Sequence, residues 1–179
     1  DYKSNDSEFI KKLAFLSYQS EVYQVRMYSV FLFGYLSEDK NILMFLRDEV
    51  SKDSNWRVQE VLAKSFDEFC KIIGYEKALP VIDDWLKNSN HNTRRAVTEG
   101  LRIWTGRPYF KANPNEAIRR LAALRDDPSE YVRKSVGNAL RDISKKYPEL
   151  IRVELSTWSL ETKGIKQVYQ LANKLLIES

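Results

Sequence analysis

Hydrophobic residues along this chain recur at i, i+3, i+4 and i+7 in short segments separated by polar turns, the period of helices that bury one face. Four such segments follow a polar turn and a step in which Arg stands beside a hydrophobic residue or a second Arg: Val25-Arg26, Trp56-Arg57, Arg94-Arg95 and Val132-Arg133. The spacing is 31 residues from Arg26 to Arg57, then 38 to Arg95 and 38 to Arg133. A second apolar run follows each helix. These runs are Ile42, Leu43, Phe45 and Leu46; then Ala78, Val81, Ile82, Trp85 and Leu86; then Ala117, Ile118, Leu121 and Leu124; and finally Leu150, Val153, Leu155 and Trp158.

A helix pair cannot cover its own apolar face, so repeated pairs must stack on one another. The pattern predicts an all-α chain: a right-handed α-solenoid of antiparallel helix pairs with HEAT-like repeats, forming a single domain over 1–179. Helix starts are expected at Ser54-Asn55, at Asn90 to Asn92 and at Asp127 to Glu130, where short polar side chains satisfy free amides. Lys145-Lys146-Tyr147-Pro148 has the composition of a helix end. The repeated Arg has two readings at this point. Its head can reach acidic side chains or carbonyls of the neighbouring turn, or it can face a partner.

Composition narrows the chemistry. Six Gly, five Pro and 43% hydrophobic residues describe an ordinary globular core. No apolar run is long enough to span a membrane, and the first residues lack a signal-peptide layout, so a cytoplasmic protein is expected. His91 is the only histidine, which excludes histidine-based metal sites and Ser-His triads. The glycines are scattered singly, so no nucleotide cofactor has a visible cradle, and no cofactor is expected. Cys70, among Phe69, Ile72 and Ile73, reads as a small buried thiol. Nothing suggests an oligomer, and a monomer is expected.

Charge is unevenly placed. Residues 1–90 carry 12 basic and 15 acidic side chains, 91–146 carry 13 and 6, and 147–179 carry 4 and 4, which returns the overall +4. A basic stretch on a solenoid attracts a polyanion, and nucleic acid is the default one.

The segments WRVQEVLAKSFDEF, RRAVTEGLRIWTGRPYF and SEYVRKSVGNALRDISKKYPEL resemble the DNA alkylation repair HEAT-repeat family, the AlkD-like proteins. The likeness runs from about Glu21 to about Trp158. It implies duplex DNA held in a basic concave groove, and a glycosylase that releases cationic N3- and N7-alkylated purines. Such a leaving group departs with little help, so the enzyme needs chiefly a carboxylate near the oxocarbenium-like sugar and aromatic walls around it. By resemblance Trp56 and Glu60 supply that pair, and their spacing of four places them one turn apart on one helix face. Glu99 is a second candidate carboxylate, since Glu99-Gly100-Leu101-Arg102 and Arg107-Pro108 resemble the AlkC-like branch, although Glu99 also stands four residues after Arg95, where an intrahelical ion pair forms. Arg94 and Arg95 match the phosphate-contacting position. Arg57, Arg133, Lys134 and Arg141 extend the DNA-binding set, and Asn138 stands where AlkD-type enzymes have tryptophan.

Two classes of function follow. One is a DNA-binding protein of alkylation repair, with or without glycosylase activity. The other is a non-catalytic interaction scaffold whose patch is Trp104, Tyr109 and Phe110, unless Trp104 and Phe110 pack in the core while Gly106 and Pro108 make a turn.

Overall fold

A polar side chain two positions ahead of a helix's N-cap residue can accept that residue's amide and close the turn into the helix, and in this chain the same device recurs. Ser20 accepts the amide of Val22, Asp53 that of Asn55, Asn88 that of Asn90 and Asp127 that of Ser129, at 2.8–3.2 Å. The helices that follow belong to an all-helical repeat fold. The computed structural model describes residues 2–177, and among them every regular element is a helix. These are α1 (Tyr2–Tyr18), α2 (Tyr23–Tyr35), α3 (Lys40–Asp48), α4 (Trp56–Ile73), α5 (Tyr75–Leu86), α6 (His91–Trp104), α7 (Pro108–Ala112), α8 (Pro114–Ala123), α9 (Glu130–Ser144), α10 (Pro148–Ser156) and α11 (Lys163–Asn173), with a 3-10 turn at Val50–Lys52.

The chain divides into two compact units, Asp1–Trp85 and Leu86–Ser179. In the first, α2 lies between α1 and α4. Ser29 donates to the Ala14 carbonyl at 2.6 Å and Ser65 to the Val30 carbonyl at 2.7 Å. A Cβ on Gly34 would come within 3.0 Å of the Ser65 Cα, so the α2–α4 seam requires small residues. Val30, Phe33, Ile42, Leu46, Leu62 and Phe66 are fully buried there. In the second unit α9 lies between α6 and α11. The hydroxyls of Thr98 and Ser135 meet at 2.6 Å, and a Cβ on Gly137 would overlap Leu171. Leu101, Trp104, Phe110, Leu121, Val136 and Leu140 close that core.

Three details depart from the sequence pattern. Pro108 opens the short helix α7 rather than sitting in a turn, because its fixed φ suits a first helical position. Trp158 lies beyond the end of α10, buried through its ring and donating Nε1–H to Glu154 at 2.8 Å. The helix α11, packed on α9 after the fourth pair, is a further element that the sequence pattern does not include.

The repeated Arg proves to be a fastener. Six residues after each of these turn residues a long side chain turns back onto that residue's carbonyl: Arg26 onto Ser20, Gln59 onto Asp53, Arg94 onto Asn88 and Arg133 onto Asp127, at 2.6–2.9 Å. Arg26 also grips Asp53 through two bonds of 2.7 and 3.0 Å, and Arg94 grips Asp127 through two of 2.7 Å. Each of these pairs ties the start of one repeat's first helix to the turn ahead of the following repeat's first helix, α2 to α4 and α6 to α9. The register of the repeat is therefore set by Arg26, Gln59, Arg94 and Arg133, spaced 33, 35 and 39 residues apart. Arg57 is not part of it. In the second repeat Gln59 takes the fastening place and leaves Arg57 exposed.

The Arg94–Asp127 pair is enclosed, with side chains 9% and 2% exposed. Removing one partner strands the other as a buried charge, so Arg94→Ala is expected to destabilise the protein by about 3–5 kcal/mol, read by urea unfolding. Burial pushes the Asp53 carboxyl up, but bonds from Arg26, the Asn55 amide and the Tyr18 hydroxyl outweigh it and hold the group below its ordinary 3.8. A depressed carboxylate contributes stability that is complete above its unfolded pKa and is lost as pH falls through its folded one. Unfolding measured across the acid range is expected to show stability dropping below about pH 4, with part of that slope absent in Arg26→Gln.

Candidate nucleic-acid interface

Asn55 caps α4 by accepting the Arg57 amide, and this places Trp56 at the first helical position with its side chain clear of the core. The indole is 55% exposed. The Arg57 guanidinium lies over it, 4.4 Å from the ring centre, and 5.5 Å from the ring centre of Tyr23 on α2. Both distances are within the range of cation–π attraction, so two rings share one cation. Glu60 follows one turn later on the same face of α4, half-buried. Trp56 and Arg57 thus meet through the cation–π contact, Glu60 stands one turn on from Trp56, and Tyr23, which sequence reasoning missed, joins Arg57 from α2.

The second unit gathers Arg95, Glu99 and Arg102 on α6 against Tyr131, Ser135 and Asp142 on α9. The Arg95 guanidinium lies 4.3 Å from the Tyr131 ring centre and 3.7 Å from Glu99. Glu99 accepts from Ser135 at 2.8 Å and pairs with Arg102 at 3.4 Å. Arg102 in turn pairs with Asp142. Glu99 is therefore a brace between α6 and α9, its oxygens committed to Ser135 and to two guanidiniums. This is the ion-pair reading of its position, extended across two helices.

Other candidates divide by orientation. Arg94 turns inward onto Asp127, Asn88 and Ser89, which uses the donors a phosphate would need, so its expected place on a DNA backbone is not the place its side chain occupies. Arg133 likewise spends its head on the Asp127 and Pro128 carbonyls and on Gln167. The signal for both was the Asx or Ser six residues upstream. Lys134 is exposed and pairs with Glu130 at 2.8 Å, and Arg141 lies 3.5 Å from Asp142. Asn138 is half-buried in mid-helix on α9. Trp104 and Phe110 are fully buried and stacked, ring centres 5.7 Å apart, which is the core-packing reading of that stretch and removes them from any surface patch.

Buried Cys70 has its thiol pushed far up by desolvation and stays protonated. Among the described residues, no group of three or more His, Cys, Asp or Glu side chains is placed to hold a metal, and no helix is long and apolar enough to cross a membrane. The first unit carries 11 basic against 15 acidic residues and the second 18 against 10, so the positive excess belongs to the second.

The chain is similar to a structure described as AlkD2 from Streptococcus mutans, with 78% identity, a TM-score of 0.93, and coverage of 97% of this chain and 84% of that one. Its fold resembles that of the alkylpurine DNA glycosylase AlkC of Pseudomonas fluorescens, described as bound to DNA containing an abasic site analog, at 23% identity, TM-score 0.58, and 89% and 48% coverage. Among curated proteins it is 36% identical over 91 residues to the uncharacterized protein YhaZ of Bacillus subtilis, a match spanning 49% of this chain and 26% of that relative's length. The model of the DNA alkylation repair enzyme family matches residues 1–157, and the chain belongs to that family.

Proposed function

We propose that this chain is a duplex-DNA-binding member of the alkylation repair family in which base excision is not retained. The observation that carries the reading is the Arg57 guanidinium over Trp56 at 4.4 Å. An indole that lines an excision site has to meet the sugar or a cationic base, and here one of its faces already holds a cation. Further support comes from the surroundings. Asn138 stands where the resembling enzymes have a tryptophan. Glu99, the other carboxylate, is bound up in an inter-helix network. DNA binding is favoured by the charge of the second unit, where Lys111 and Lys146 are exposed and have no carboxylate partner among the described residues. A protein scaffold is the weaker reading, because its aromatic patch is buried.

The test is release of 7-methylguanine and 3-methyladenine from methylated duplex DNA, with binding of the same duplex followed by fluorescence anisotropy. Release is expected at the spontaneous rate only, with affinity falling steeply between about 50 and 200 mM salt. Release above that rate and lost in Glu60→Gln would make the protein an active glycosylase with Glu60 as its carboxylate. Absence of binding would return the scaffold.

A further inference from the structure

Beside the Trp56 site, the first unit carries an aromatic surface that neither core packing nor the excision chemistry uses. Tyr28, Phe31 and Tyr35 stand at i, i+3 and i+7 on α2, which puts them along one face. Tyr28 is 71% exposed and Tyr35 is 67% exposed, on a helix whose opposite side is packed against α1 and α4. Leaving two large rings in water forgoes the burial that normally stabilises them, and two tyrosines exposed two turns apart on one helix face offer a partner an aromatic surface.

The neighbouring helix supplies a second row. Arg57 on α4 lies over Tyr23 on α2, and seven residues on Lys64 places its ammonium 5.8 Å from the ring centre of Phe31, eight residues on. Contacts that advance together along both helices mean that α2 and α4 run parallel here. Two cations on α4, seven residues or about 10.5 Å of helix apart, therefore accompany two rings on α2 that are eight residues apart. Glu60 lies between the two cations, so the charge excess of the row is small and the rings dominate its chemistry.

Rings beside cations suit a nucleic-acid strand whose bases are unstacked, since bases lie on the rings while phosphates pass the cations. An intact duplex keeps its bases stacked inside and has nothing to offer Tyr28 and Tyr35. We propose that the α2–α4 face holds unpaired nucleotides, their bases stacked on Tyr28 and Tyr35 and their phosphates beside Arg57 and Lys64. This rests on the DNA-binding reading above and narrows its ligand to DNA that is gapped, frayed or otherwise locally single-stranded.

The experiment compares two fluorescein-labelled DNAs by anisotropy, an intact duplex and the same duplex with a short single-stranded gap. The gapped DNA is expected to bind about tenfold more tightly, the scale of one or two lost base stacks. The double variant Tyr28→Ala/Tyr35→Ala is expected to lose that preference while binding the intact duplex as the parent does. Both side chains are exposed, so an unchanged thermal unfolding midpoint checks that the fold survives. Trp56 is the exposed one of the four tryptophans, the other three being buried, so quenching of emission by oligothymidylate gives a second readout local to this face. Equal affinity for the two DNAs, or a preference that survives the double variant, overturns this proposal and leaves duplex binding standing. Binding to gapped DNA alone overturns the duplex reading and keeps this one, and binding to neither overturns both.

Discussion

The fold hangs on a guanidinium that must satisfy two turns at once. Arg26 and Arg94 each close the turn at the start of their own helix through backbone carbonyls and hold the Asp ahead of the following repeat through two charge-assisted bonds. A planar fork of donors makes this possible, because a lysine has no second parallel N–H to offer. The acid it holds, Asp53 or Asp127, itself accepts the amide of the residue just before the helix, so one interaction fixes helix start, turn and repeat spacing together. Seams of Ser, Thr and Gly then let the helices approach as closely as that spacing demands.

This arrangement changes the meaning of the basic stretch. Much of its charge is structural: Arg94 and Arg133 face inward, Arg102 joins α6 to α9 through Asp142, and Arg120 is buried against Glu116 on its own helix. What reaches solvent is a smaller set, including Lys111 and Lys146. Counting basic residues therefore overstates the field that a polyanion meets, although the sign of the field in the second unit is unchanged.

The first unit shows the opposite balance, acidic in total and yet the bearer of Trp56, Tyr23, Tyr28 and Tyr35 at its surface. Where Gln59 replaces Arg as the fastener, Arg57 is left over, and it settles between two rings rather than in the backbone of a turn. Within the one unit, a change in the structural residue and a new surface feature stand two positions apart on the same helix.

The sequence by itself determined the helical class, the pairing of helices and most of the core, because periodic burial and capping are local properties written at fixed spacing. It also brought Trp56 and Glu60 to one helix face, since a separation of four needs only helix geometry. It counted Arg57 in the repeat series, where the structure has Gln59 in the equivalent place, and the 31-residue step from Arg26 was the shorter one. Tertiary structure alone decided which cations turn inward. Arg94 and Arg95 are adjacent in sequence and chemically identical, and they part because Asp127 lies 33 residues away at one side of the helix while the ring of Tyr131 lies at another. Long-range partners of this kind leave no periodic mark, which is why the helices were legible before the interface was.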